Sequence, residues 1–140
     1  MPAPSEILPP FALVDRLRAG ETLFSGWVCN PEPLFCELVA SGAVDAVVLD
    51  AQHGLHDLRS LERCIAAVAG AGKPALVRLP VGGYSLGARA LDFGAAGLIA
   101  PMINSAADAR AFAETVKYPP CGFRSWGPSR APGLSGVTDA

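Results

Sequence analysis

An aspartate, a glutamine and a histidine stand close together in Asp50-Ala51-Gln52-His53-Gly54, directly after an almost continuous apolar run that ends at the aspartate. Histidine is the side chain best suited to exchange protons near neutral pH, and a nearby carboxylate can fix its tautomer and raise its basicity. One reading of this stretch is an acid-base unit. In the other, Asp50 caps the following turn and His53 is a hydrogen-bonded loop residue, and spacing alone does not separate the two. Arg78 is the second candidate, because it interrupts the apolar run Ala75-Leu76-Val77-Arg78-Leu79. A guanidinium there is costly unless an anion meets it. A carboxylate or enolate substrate would serve, and so would an internal ion pair with Asp50 or Asp92. By pattern alone, Asp92 reads as a solvated surface acid.

Such groups cooperate only if regular elements bring them to one place. Residues 23–28 predict a first strand, and a helix follows from Pro33 to Ala40 after the turn signal Asn30-Pro31, ending at Gly42. Val44 to Asp50 predicts a strand buried on both faces of a parallel sheet. From Asp57 to Gly70 the residues Leu58, Leu61, Ile65 and Val68 recur at helical spacing, with Asp57 as the cap. Pro74 to Leu79 predicts a third strand, Leu86 to Phe93 a third helix stopping at Gly94, and Gly97 to Met102 a fourth strand. Ser105 and Asp108 then form a capping-box-like start to a helix reaching about Lys117, before Pro119-Pro120.

Strand-helix alternation at this spacing suits right-handed parallel crossovers. Two architectures use them, an open doubly wound sheet and a closed barrel. No G-x-G-x-x-G turn follows the first strand, so a dinucleotide-binding open sheet loses its best support and the barrel is preferred. Barrel chemistry sits at the C-terminal strand ends, which here carry Trp27, Asp50 with His53, Arg78 and Pro101-Met102.

The 140 residues suit a single domain but fall short of the ~250 residues of an eight-stranded α/β barrel. The expected organisation is an N-terminal segment and helix over 1–20, then four βα units and a following loop over 21–140. Hydrophobic residues make up 51% and charged residues 17%, enough apolar material for a core. A net charge of -2 provides no basic stripe for nucleic acid or anionic lipid. Met1 to Pro10 has no basic residue and does not read as a targeting peptide. Gly94 to Ile103 is about half the ~20 residues of a membrane-spanning helix. A cytoplasmic protein with no membrane or nucleic-acid partner is expected. Cys29, Cys36, Cys64 and Cys121 lack a C-x-x-C pair and read as reduced thiols; with only His53 and His56 near, a structural zinc is not expected.

Four ordered blocks carry a resemblance: Val48-Leu49-Asp50-Ala51-Gln52-His53-Gly54, Leu76-Val77-Arg78-Leu79-Pro80, the stretch from Ala90-Leu91-Asp92-Phe93-Gly94 to Pro101-Met102, and Lys117-Tyr118-Pro119-Pro120-Cys121-Gly122-Phe123-Arg124. Over about 20–130 the chain resembles the HpcH/HpaI aldolase/citrate lyase family, most of all its metal-dependent pyruvate aldolases. The resemblance implies a (β/α)8 TIM barrel, here about four βα units or half a barrel. It also implies a lyase that cleaves a 4-hydroxy-2-oxo acid to pyruvate and an aldehyde through a pyruvate enolate on Mg, Mn or Co. In this resemblance His53 matches the catalytic base, working with a metal-bound water, and Asp92 the acid paired with it. Asp50 matches the carboxylate that orders the site, Arg78 the arginine that contacts the pyruvate carbonyl and steadies the enolate, and Trp27 a pocket-lining aromatic.

Gln52 departs from the Glu that the heptanedioate aldolases carry before the His; it can hydrogen-bond a metal-bound water but brings no charge. The family's metal ligands, a Glu and an Asp on the fifth and sixth strands, would lie beyond Ala140, so no metal ligand is expected in this chain. A four-strand half barrel has two open edges, and assembly as a homo-oligomer is expected. Two other readings stay open: a non-catalytic fragment acting through assembly, and a citrate lyase β-like lyase of CoA thioesters.

Overall fold

The computed structural model describes residues 12–132. Helix α1 (Ala12–Arg18) precedes four strand-helix units: β1 (Ser25–Val28), α2 (Pro33–Ala40), β2 (Ala46–Asp50), α3 (Leu58–Gly70), β3 (Ala75–Arg78), α4 (Tyr84–Asp92), β4 (Gly97–Ile99) and α5 (Ala106–Val116). The strands form one parallel sheet in the order β1-β2-β3-β4. The expectation of four parallel βα units is met. Met1 to Pro10 lies outside the described residues.

Local chemistry explains the elements. The Asp57 carboxylate accepts from Ser60 N at 2.8 Å while Ser60 Oγ accepts from Asp57 N at 2.8 Å, which closes a reciprocal cap on α3. Leu61, Cys64, Ile65 and Val68 then fall on one face, and all four are fully buried. Every residue of β2 is buried, as a central strand of a parallel sheet requires. Val28, Val47, Leu49, Val77 and Leu79 meet Cys36, Ala40, Ala90 and the α3 face in one core. Each fully buried Val, Leu or Ile contributes roughly 1.5–3 kcal/mol. Gly87 lets α4 sit close to the sheet, since a Cβ there would lie 2.8 Å from Leu79 Cδ1 and 3.0 Å from Leu98 Cδ1.

The boundaries differ from expectation at several ends. β1 begins at Ser25 rather than Leu23, and β2 at Ala46 rather than Val44; Phe24 N instead donates to the Asp45 carboxylate at 2.9 Å. β3 is one residue shorter at each end than expected. β4 stops at Ile99 rather than Met102, because Pro101 has no N–H for the ladder and Met102 turns the chain with φ 57°. α4 starts two residues early, at Tyr84, after the turn in which Gly83 N donates to Pro80 O at 2.9 Å. Ser105 caps α5: its Oγ accepts from Asp108 N at 3.1 Å and donates to Asp108 Oδ2 at 2.8 Å. No helix among the described residues is long and apolar enough to cross a membrane.

Candidate active site

In a parallel ladder, paired residues project to the same face and alternate residues share it. Trp27 pairs with Val48, and Asp50 pairs with Arg78, which pairs with Ile99. Trp27, Asp50 and Arg78 therefore share the face turned away from the helix-covered core, at the C-terminal ends of their strands.

Asp50 is the hub, and it is only 1% exposed. Its carboxylate accepts from Arg78 Nε at 3.0 Å and Arg78 Nη2 at 2.6 Å, the two-pronged geometry in which a guanidinium is strongest. It also accepts from Gln52 N at 2.9 Å, His53 N at 3.2 Å, Trp27 Nε1 at 3.3 Å and Cys29 Sγ at 3.7 Å. The Arg78 guanidinium holds the Asp50 carboxyl well below the usual carboxylate range; burial works the other way, and the His53 and Gln52 amides and the Trp27 indole add to the lowering. In return Asp50 raises the pKa of Arg78, which stays a cation. The guanidinium carbon lies 4.9 Å from the centre of the Trp27 ring, within cation-π range.

His53 is exposed, and its backbone ties it to the same carboxylate that holds Arg78, so the two stand at one end of the sheet. Gln52 is half-buried beside it. Gly54 permits the tight exit, because a Cβ there would lie 2.9 Å from Cys29 Cα and would also strike the Asp50 carbonyl. The loop is pinned to the end of β1 by Leu55 N donating to Cys29 O at 2.9 Å and by His56 Nε2, 3.2 Å from Val28 O. His56 is buried and burial lowers its pKa, which favours the neutral ring. Both alternatives left open for Asp50 and Arg78 are physically realised: Asp50 caps the turn and forms an internal ion pair with Arg78.

Asp92 is placed elsewhere. It ends α4 at the opposite rim, where Ala96 N donates to the O of Ala75, the first residue of β3. Its carboxylate accepts from Arg124 Nη2, and its carbonyl accepts from Ser129 N, Arg130 N and Ser129 Oγ. The pairing of Asp92 with His53 that the resemblance implies is not formed within this chain. No group of three or more His, Cys, Asp or Glu among the described residues could hold a metal ion, so these residues alone do not fit a divalent cation.

The HpcH/HpaI aldolase/citrate lyase family profile matches residues 24–135. The chain belongs to this family. It is 34% identical over 131 residues to the hydroxypyruvate/pyruvate aldolase of Roseovarius nubinhibens, a match covering 94% of this chain and 49% of that protein. It is 32% identical over 117 residues to the 2-keto-3-deoxy-L-rhamnonate aldolase of Shigella sonnei, covering 84% and 44%. A solved HpcH/HpaI aldolase/citrate lyase family protein of Burkholderia cenocepacia J2315 superposes with TM-score 0.80 at 29% identity, over 89% of this chain and 52% of that one. The chain thus spans about half the length of the relatives it matches, and its four βα units correspond to about half of the family's TIM barrel.

Several residues of this family member escaped the reading of the sequence. Cys29 joins the Asp50 cluster, and its signal was available: it stands two positions after Trp27 and so shares that face. Arg124 closes the 117–124 block, where nothing local marks it as a partner of Asp92, yet its side chain is 8% exposed and reaches back to that carboxylate. Met102 was expected at a strand end, but it takes a left-handed backbone that L-residues rarely adopt, and no local sequence signal marks that conformation.

Proposed function

We propose that the chain supplies the acid-base half of a pyruvate-type aldolase, a carbon-carbon lyase that cleaves a 4-hydroxy-2-oxo acid to pyruvate and an aldehyde. The observation that carries this reading is the convergence of Asp50, Arg78, Trp27 and the His53 loop at one end of the parallel sheet. His53 takes the proton from the C4 hydroxyl; the C3–C4 bond breaks, its electrons form the pyruvate enolate, and C3 is then reprotonated. Arg78 holds the 2-oxo acid and offsets the charge that develops on the enolate oxygen. Asp50 is a positioning residue, which aims Arg78 and orders the backbone at Gln52 and His53. Trp27 and Gln52 line the substrate. In this reading Mg, Mn or Co, held by donors outside the described residues, would supply Lewis acidity, the described βα units belong to one barrel domain, and the protein works in the cytoplasm as a homo-oligomer.

The test incubates the purified chain with Mn or Mg, pyruvate and a small aldehyde, and measures aldol product together with metal binding. Product that is lost in His53→Ala and falls at least ~10-fold in Arg78→Lys supports the reading, since lysine cannot reproduce a two-pronged contact. No turnover and no tight metal binding favours instead a fragment that acts only through assembly. That second reading has its own support in the two edge strands, β1 and β4, of the open sheet.

A further inference from the structure

Two cysteines lie outside the Asp50 cluster, on facing helices. Cys36 projects from α2 and Cys64 from α3, and both are fully buried in the same core. Their sulfurs converge on consecutive carbonyls of the turn that leaves the rim: Cys36 Sγ is 3.9 Å from Asn30 O and Cys64 Sγ is 3.4 Å from Pro31 O. Each thiol proton is directed at its carbonyl, and the two sulfurs, on packed helices, still influence each other, which lowers the pKa of Cys36 and raises that of Cys64. A core that needed only apolar volume at these positions could use alanine or valine. Here two oxidisable groups on facing helices gather at one turn, and among the described residues no third ligand converts them into a metal site.

We propose that Cys36 and Cys64 are a modification site: they close a reversible disulfide that ties α2 to α3 when the protein meets a small disulfide oxidant. The Cys36 thiolate attacks the oxidant's S–S bond, which breaks and releases one thiolate; the Cys64 sulfur then displaces the second. One protein S–S bond forms, the two thiol protons leave on the two released thiols, and the oxidant takes up two electrons. The bond fastens the Asn30-Pro31 turn, and with it the residue before, Cys29, at the candidate site.

The probe is cystamine, a small disulfide, applied to a Cys29→Ser/Cys121→Ser double variant, whose two replaced thiols are exposed and outside the core. The reagent is added across a urea series from zero to past the unfolding midpoint, since buried thiols react through local opening. Below the midpoint the chain should lose the mass of two hydrogen atoms, and trypsin should yield residues 19–59 joined to residues 64–78. Dithiothreitol should reverse the link, and oxidation should raise the melting temperature. Cys36→Ala or Cys64→Ala in that background should abolish the joined fragment, while the double variant itself provides it without any core substitution. The proposal is overturned if no joined fragment forms below the midpoint, if it forms only above it, or if the product stops as a cysteamine adduct on one thiol.

Discussion

The molecule uses the same chemistry twice, at opposite rims of its sheet. At one, Asp50 and Arg78 pair beside Trp27; at the other, Asp92 and Arg124 pair, with Arg124 4.5 Å above the Tyr118 ring. The difference lies in what surrounds each pair. Asp50 sits in the central strand and takes six donors, while its arginine is 23% exposed and open to an incoming anion. Asp92 ends a helix and holds one guanidinium, whose side chain is 8% exposed and whose Nε is buried without a partner. An arginine presented to solvent over a rigid carboxylate can serve a ligand. One sealed against an aromatic ring fastens a segment of chain.

The sharpest way to break this contrast is to delete each carboxylate. Asp50→Ala strips the partner from Arg78, the Trp27 indole and two backbone amides in a strand that cannot peel away, and should cost about 2–4 kcal/mol of global stability in urea unfolding. Asp92→Ala leaves Arg124 buried and uncompensated, but the segment from Lys117 to Arg130 can open on its own. Its cost in global unfolding should stay near ~1–2 kcal/mol, with the loss appearing as faster tryptic cleavage at Lys117 and Arg124. Equal global losses, or no change in cleavage at those bonds, would undo the distinction between rigid hub and detachable strap.

Acid sharpens the comparison further. Because Arg78 depresses the Asp50 pKa, the native state binds fewer protons than the unfolded chain at this position. Its stabilisation is fully present above the ordinary carboxylate pKa of ~3.9 and is lost as pH falls through the lower native value. The stability gap between the parent and Asp50→Asn should therefore hold constant from about pH 7 to pH 5 and narrow below about pH 4. A gap that widened on acidification would contradict the ion pair.

How much of this was written locally in the sequence can be judged residue by residue. β2 and α3 were legible, because a continuous apolar run and a capped 3.6-residue period need no distant partner to be recognised. The ends of β1 and β4 were not, since they depend on Asp45 reaching Phe24 and on the backbone turn at Met102. Asp50, His53 and Arg78 could be singled out by their placement after or within apolar runs. Whether Arg78 faces Asp50 or Asp92 could not, for it is decided by the register that sets Asp50 opposite Arg78. Arg124 lies 32 residues from Asp92, beyond both β4 and α5, a separation no periodicity reports.

The smallest expected effect isolates what the aromatic residue contributes at each rim. Trp27→Phe keeps an apolar ring under the guanidinium but removes the N–H that Asp50 accepts at 3.3 Å, a long bond with one partner among six. The loss should be about 0.5–1 kcal/mol, because a half-exposed ring leaves room for water to replace the donor. Tyr118→Leu removes the ring beneath Arg124 altogether, where the guanidinium is sealed and cannot turn to solvent. It should cost somewhat more, ~1–2 kcal/mol, since a cation-π contact strengthens on desolvation. If Trp27→Phe proves the costlier of the two in urea unfolding, the indole N–H is a principal support of Asp50 rather than one donor among six.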